Sequence, residues 1–94
     1  MLRKVTVRHT AGATMLTPAQ VRAARSLLKW TRDDLAARSG VFANTIKNFE
    51  NGTSDPKRST LLKWRRALEK GGVIFIDADT EAGPGVRLRD ERKS

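Results

Sequence analysis

The 94-residue chain predicts a mainly α fold: four short helices followed by a C-terminal β-hairpin, with an N-terminal segment that can add a further strand. Three observations carry this. Two helix-start signatures sit fourteen residues apart, Thr17-Pro18-Ala19-Gln20 and Thr31-Arg32-Asp33-Asp34. Glycines stand where helices must stop, at Gly40, Gly52 and the pair Gly71-Gly72. After that pair the apolar period changes from helical spacing to a β-branched and aromatic run, Val73-Ile74-Phe75-Ile76.

Each element follows from local chemistry. Lys4-Val5-Thr6-Val7-Arg8 alternates polar and apolar residues, as a strand does, while residues 10–14 are small and read as a linker. Thr17 offers an N-cap hydroxyl, Pro18 suits the first helical position, and Gln20 completes a capping box. Val21, Ala24, Leu27 and Leu28 then recur at helical spacing, so the first helix runs from Pro18 to about Lys29. Thr31 caps the second helix with Asp34 three residues on, and Asp33 adds negative charge at the positive end of the helix dipole. Leu35, Ala36 and Ser39 face inward and Gly40 ends that helix. The third, about Ala43 to Asn51, buries Ile46 and Phe49, with Val41 packing from the turn and Gly52 in the left-handed position after its end. Asp55 or Ser59 can cap a fourth helix whose stripe is Leu61, Trp64, Ala67 and Leu68. Strands are expected near 73–77 and 86–89, joined by an acidic turn from Asp77. An isolated hairpin is only marginally stable, so it must pack on the helices, the N-terminal segment or a second copy.

Charge is uneven. The formal net charge is +9, yet residues 1–71 hold 15 Lys and Arg against 5 Asp and Glu, a local charge of +10, and residues 72–94 hold 4 against 5, or −1. The helical part is therefore the part that faces a polyanion. The chain has no cysteine, which excludes disulfides and thiolate metal sites. No apolar run reaches the roughly 20 residues of a membrane span, and the N-terminus has no apolar core of a secretory signal. A soluble, cytoplasmic, nucleoid-associated protein is expected. No nucleophile, base and orienting group can be picked out together, so no enzyme activity and no cofactor is expected. His9 has no metal-ligating neighbours in sequence.

Residues 17 to about 71 resemble the Cro and lambda-repressor type of helix-turn-helix domain, also called the xenobiotic-response-element type. The likeness lies in LTPAQVRAAR, the spacing of WTRDDLAARSGV and the ending IKNFENG. The whole chain is similar to short bacterial regulators of that type in which two strands follow the helices. The resemblance fits a division into three parts: a basic segment over 1–14, a DNA-binding domain over 15–72, and, over 73–94, a charged tail with a hairpin whose apolar faces and unpaired edges suit dimerisation. It implies that Ala43, Asn44, Thr45, Lys47 and Asn48 meet base edges. It places Arg32 and Asn51 on flanking phosphates, and Lys57 and Arg58 extend that set. It also implies a buried structural pair between Arg25 and Glu50.

Chemistry agrees with the base readers. Asn pairs bidentately with adenine N6 and N7, Lys reaches guanine O6 and N7, and the methyls of Ala and Thr can meet a thymine methyl. One position departs from the family pattern: the residue before the third helix is usually Ser or Thr and here is Phe42, which cannot cap. Phe42 then packs against the core or a partner, or it touches DNA. Arg3, Lys4 and Arg8 can enter a minor groove as an arm, or Val5 and Val7 can join the hairpin as a strand. Function is expected to be a sequence-specific transcriptional regulator, a repressor binding a palindromic operator as a homodimer. The alternative is the DNA-binding antitoxin of a toxin-antitoxin pair, with the toxin or a co-regulator as protein partner.

Overall fold

The computed structural model describes residues 16–90. Helices α1 (Pro18–Leu28), α2 (Arg32–Ser39), α3 (Ala43–Glu50) and α4 (Arg58–Gly71) precede strands β1 (Val73–Ile76) and β2 (Gly85–Leu88). The strand or arm expected within residues 1–14 lies outside the described residues.

The first two helices are capped as their sequences require. The Thr17 hydroxyl accepts the Gln20 N–H at 3.1 Å while the Gln20 amide oxygen accepts the Thr17 N–H at 3.0 Å. The Asp34 N–H donates to the Thr31 hydroxyl at 3.0 Å, and the Thr31 N–H to the Asp34 carboxylate at 2.8 Å. Lys29 turns left-handed, with φ 60°, so α1 ends one residue earlier than its spacing suggests. Gly40 and Gly52 take up positive φ after α2 and α3.

The other two helices have no side-chain cap. Phe42 is the N-cap of α3 and Lys57 that of α4. The expected capping of α4 by Asp55 or Ser59 is thus corrected. The Lys57 carbonyl accepts the Thr60 and Leu61 N–H groups, which seats Leu61 in the core as the first buried residue of the helix. Ser59 falls inside the first turn, and Asp55 stays in the loop that carries the chain over from α3.

One core joins the four helices and β1, with Val86 of β2 half-buried against it. Val21 and Ala24 of α1, Leu35 of α2, Ile46 and Phe49 of α3 and Leu61, Trp64 and Leu68 of α4 meet Val73 and Phe75 of β1. At its centre the Phe49 and Trp64 rings lie 5.3 Å apart. Full burial of side chains of this size is worth roughly 1.5–3 kcal/mol each.

The hairpin is antiparallel, in the register Val73↔Leu88, Ile74↔Arg87, Phe75↔Val86 and Ile76↔Gly85. It packs on the helices, the first of the three supports open to it. Val73 and Phe75 point into the core while Ile74 and Ile76 alternate outward. Buried Gln20 fastens it: besides closing its capping box, the side-chain amide donates to the Gly85 carbonyl at 3.1 Å and the Ile76 carbonyl at 3.4 Å. Arg65 covers the Phe75 ring at 5.0 Å.

Gly71 has a role beyond ending α4. A Cβ there would come within 2.7 and 2.8 Å of the Trp30 ring and 3.0 Å of Leu28. The absent side chain lets the segment after α1 close onto the end of α4. Gly71→Ala should destabilise the protein by about 1–3 kcal/mol through overpacking, read as a lower thermal midpoint, despite alanine's better helix propensity.

Candidate nucleic-acid interface

The site is organised around Glu50, whose side chain has no solvent exposure. Arg25 of α1 grips the carboxylate with two parallel bonds, Nε to Oε2 at 2.7 Å and Nη2 to Oε1 at 2.9 Å. Its remaining nitrogen donates to the Trp30 carbonyl at 3.0 Å. Arg32, the first residue of α2, donates from Nε to Oε1 at 2.9 Å. Arg22 donates to the Glu50 carbonyl. Three arginines from two helices thus hold the C-terminal end of α3. Burial pushes the Glu50 carboxyl upward, but the hydrogen bonds from Arg25 and Arg32 outweigh it, so the group lies below the ordinary glutamate value.

With its inner side fixed by Ile46, Phe49 and Glu50, α3 turns the opposite side outward. At 3.6 residues per turn, Asn44, Asn48 and Asn51 fall along one line with Lys47 beside it. Asn44, Lys47 and Asn51 are exposed, and Ala43, Thr45 and Asn48 are half-buried. The side chains of Asn44, Lys47 and Asn48 make no hydrogen bond to any described residue, whereas the Asn48 carbonyl receives the Thr53 hydroxyl and N–H. Ala43, Asn44 and Lys47 share an open groove with Arg25, Thr31, Arg32 and Asp33. Thr45 sits on the other flank of the helix.

The phosphate candidates are spread around this face. Lys57 and Arg58 are exposed at the start of α4 and Asn51 at the end of α3. Arg32 lines the groove and has a structural role unforeseen in the sequence, since its Nε donates to Glu50 Oε1. The expected Arg25–Glu50 pair is present. Missed were Arg22 and the Arg32 bond, and both had a signal: Arg22, Arg25 and Arg32 are the basic residues that can converge on a single buried acid. Trp30 packs half-buried against the core, with the Arg38 guanidinium 4.4 Å from its ring centroid. Among the described residues, no helix is long and apolar enough to cross a membrane and no acidic or histidine cluster could hold a metal ion.

Capped α1 and α2, a glycine turn between α2 and α3, and a polar outward face on α3 define a helix-turn-helix module. Residues 19–70 match the helix-turn-helix domain family, and the chain belongs to it. The chain is also 34% identical over 68 residues to the uncharacterized HTH-type transcriptional regulator y4dL of Sinorhizobium fredii. That match covers 72% of this chain and 33% of the relative, so the chain spans about a third of that protein's length.

Arg25→Ala should destabilise the fold by about 3 kcal/mol, the lower end for breaking a buried pair, because Arg32 still reaches one carboxylate oxygen. Chemical unfolding would measure it. A depressed folded-state value means that Glu50 stabilises above its unfolded value, about 4.3, and that this contribution is lost as pH falls through the folded value. The stability difference between the parent and Glu50→Gln should therefore shrink steadily below about pH 4, in unfolding curves recorded side by side. Asp34, whose carboxyl is also lowered by the Thr31 N–H and then the Thr31 hydroxyl, remains in both proteins and cancels.

Proposed function

We propose that the chain is a sequence-specific DNA-binding transcriptional regulator that inserts α3 into the major groove. The observation that carries the reading is the row of unbonded polar side chains, Asn44, Lys47 and Asn48, on a helix whose inner side is fixed by the Glu50 cluster. Rigid placement matters because each bidentate base contact needs a set angle and is worth about 1–3 kcal/mol of discrimination.

Cap chemistry supports the same reading. α1 and α2 have complete capping boxes, while α3 and α4 have none, and α4 begins with two cations, Lys57 and Arg58. Positive charge at a helix N-terminus costs a few tenths of a kcal/mol or more in the free protein. A phosphate beside Lys57 and Arg58 offsets that cost. Asn51 and Arg32 complete the phosphate set in this proposal.

We further propose a homodimer on a roughly palindromic operator, with half-sites about one helical turn apart, and repression as the outcome. Ile74 and Ile76 on the outer face of β1 are 39% and 43% exposed, and neither edge of the two-stranded sheet pairs with another described strand. Apolar side chains beside open edges are what a second copy would cover. On this reading residues 15–72 read DNA and the hairpin joins the copies.

Selection of bound sites from random duplex DNA tests the reading directly. Asn44→Ala and Asn48→Ala should each lose about 1–3 kcal/mol on the selected site and relax preference at one base pair per half-site. Lys57→Ala should instead weaken all duplexes evenly and reduce the slope of log affinity against log salt by about 1. Uniform losses from the Asn variants would show that α3 does not read bases. Replacing both Ile74 and Ile76 by Glu should give a monomer in sedimentation, with its preference for two half-sites over one lost. A persistent dimer would put the interface elsewhere.

A further inference from the structure

Phe42 breaks two local rules at once. As N-cap of α3 its side chain accepts nothing from the helix, where Ser, Thr, Asp or Asn would serve. It is also 84% exposed, the most exposed of the large apolar residues among those described, so it neither packs on the core nor steadies the turn. Its backbone does the starting work alone, the carbonyl accepting the Thr45 and Ile46 N–H groups at 3.0 and 3.3 Å. Residues that break local rules with no gain within the fold tend to serve binding.

The surroundings say what the ring can meet. Phe42 borders a shallow groove with Ala36, Ala37, Gly40 and Val41. That groove shares Asp33 and Ala43 with the groove of Asn44 and Lys47, so the ring continues the face that α3 presents. Its lining is apolar apart from Asp33. A carboxylate repels phosphate, so a base edge fits beside it better than the DNA backbone does. Among base edges in the major groove only thymine offers an apolar group, its C5-methyl, and Phe is one of the side chains suited to it.

Building on the DNA-binding reading, we propose that Phe42 is a specificity-determining residue that reads a thymine by covering its C5-methyl at the edge of each half-site. The ring supplies apolar contact next to the hydrogen-bond readers Asn44 and Lys47, and duplex DNA is what covers it. The unusual N-cap is the cost of that contact.

The test uses the full chain and a duplex selected from random DNA. Each thymine is replaced in turn by deoxyuridine, which keeps every hydrogen-bonding group and removes only the methyl. With the parent protein, one thymine per half-site should show about a fourfold loss of affinity on replacement, the factor for burying one such group. Phe42→Ser should bind the thymine duplex more weakly and be indifferent to that replacement, while melting at or above the parent temperature because serine caps the helix. Phe42→Leu should retain part of the methyl discrimination. An equal loss on deoxyuridine replacement for the parent and Phe42→Ser would overturn the proposal. So would a Phe42→Ser protein that keeps full affinity for the thymine duplex, or one whose oligomeric state changes without any methyl dependence, which would make the ring a protein contact. A parent that selects no duplex sequence at all would overturn the DNA-binding reading itself, and this proposal with it.

Discussion

A single buried carboxylate sets the geometry of this protein. Glu50 sits at the end of α3, yet its partners come from α1, through Arg22 and Arg25, and from α2, through Arg32. Apolar packing is non-directional and would let a two-turn helix slide or rotate by a fraction of a residue. A bidentate guanidinium–carboxylate pair would not, since both bonds require the two planes to coincide. Because Arg25 also holds the Trp30 carbonyl, the link between α1 and α2 is fixed by the same group. The orientation of Asn44, Lys47 and Asn48 follows from a contact on the far side of their own helix.

That arrangement also separates stability from readout. Glu50 is buried and Arg25 and Arg32 are half-buried, whereas the side chains of Asn44, Lys47 and Asn48 make no hydrogen bond within the described fold. Arg32 stands on the boundary, half-buried, with Nε bonded to Glu50 while the residue lines the groove. It couples the two, so any change there alters both the seating of α3 and the charge of the groove. Lys57 has no such side-chain bond among the described residues and reports on charge more cleanly.

Much of this was legible in the sequence. The capping boxes at Thr17 and Thr31, the stops at Gly40 and Gly52, the α4 stripe and the strands after Gly72 all follow from short-range rules, where a residue's partner lies three or four positions away. The start of α4 was not legible, because Asp55 before Pro56 is a good local cap and the burial of Leu61, a tertiary contact, overrode it. Gly71 read as a helix stop, and its close approach to Trp30 depends on a residue 41 positions earlier. Gln20 read as a capping residue, and its hold on the hairpin reaches positions 76 and 85. The Arg25–Glu50 pair came only through family resemblance, since nothing local joins positions 25 residues apart.

The hairpin shows how such long-range contacts decide the architecture. By sequence it is a separate unit with a different period and a different charge. In the structure Val73 and Phe75 complete the same core as the helices, Gln20 holds its paired carbonyls, and the Arg89 N–H extends the ladder to the Gly72 carbonyl at 2.8 Å. A domain of this size buries only about 60–65% of its unfolded surface, so four short helices gain from the added apolar layer. Alternation then gives the strand two faces with different tasks. Val73 and Phe75 are used up by the fold, and Ile74 and Ile76 are left over. Their exposure is not needed for folding, which is why the outer face of β1, rather than the hairpin as a whole, is where an association between copies would be decided.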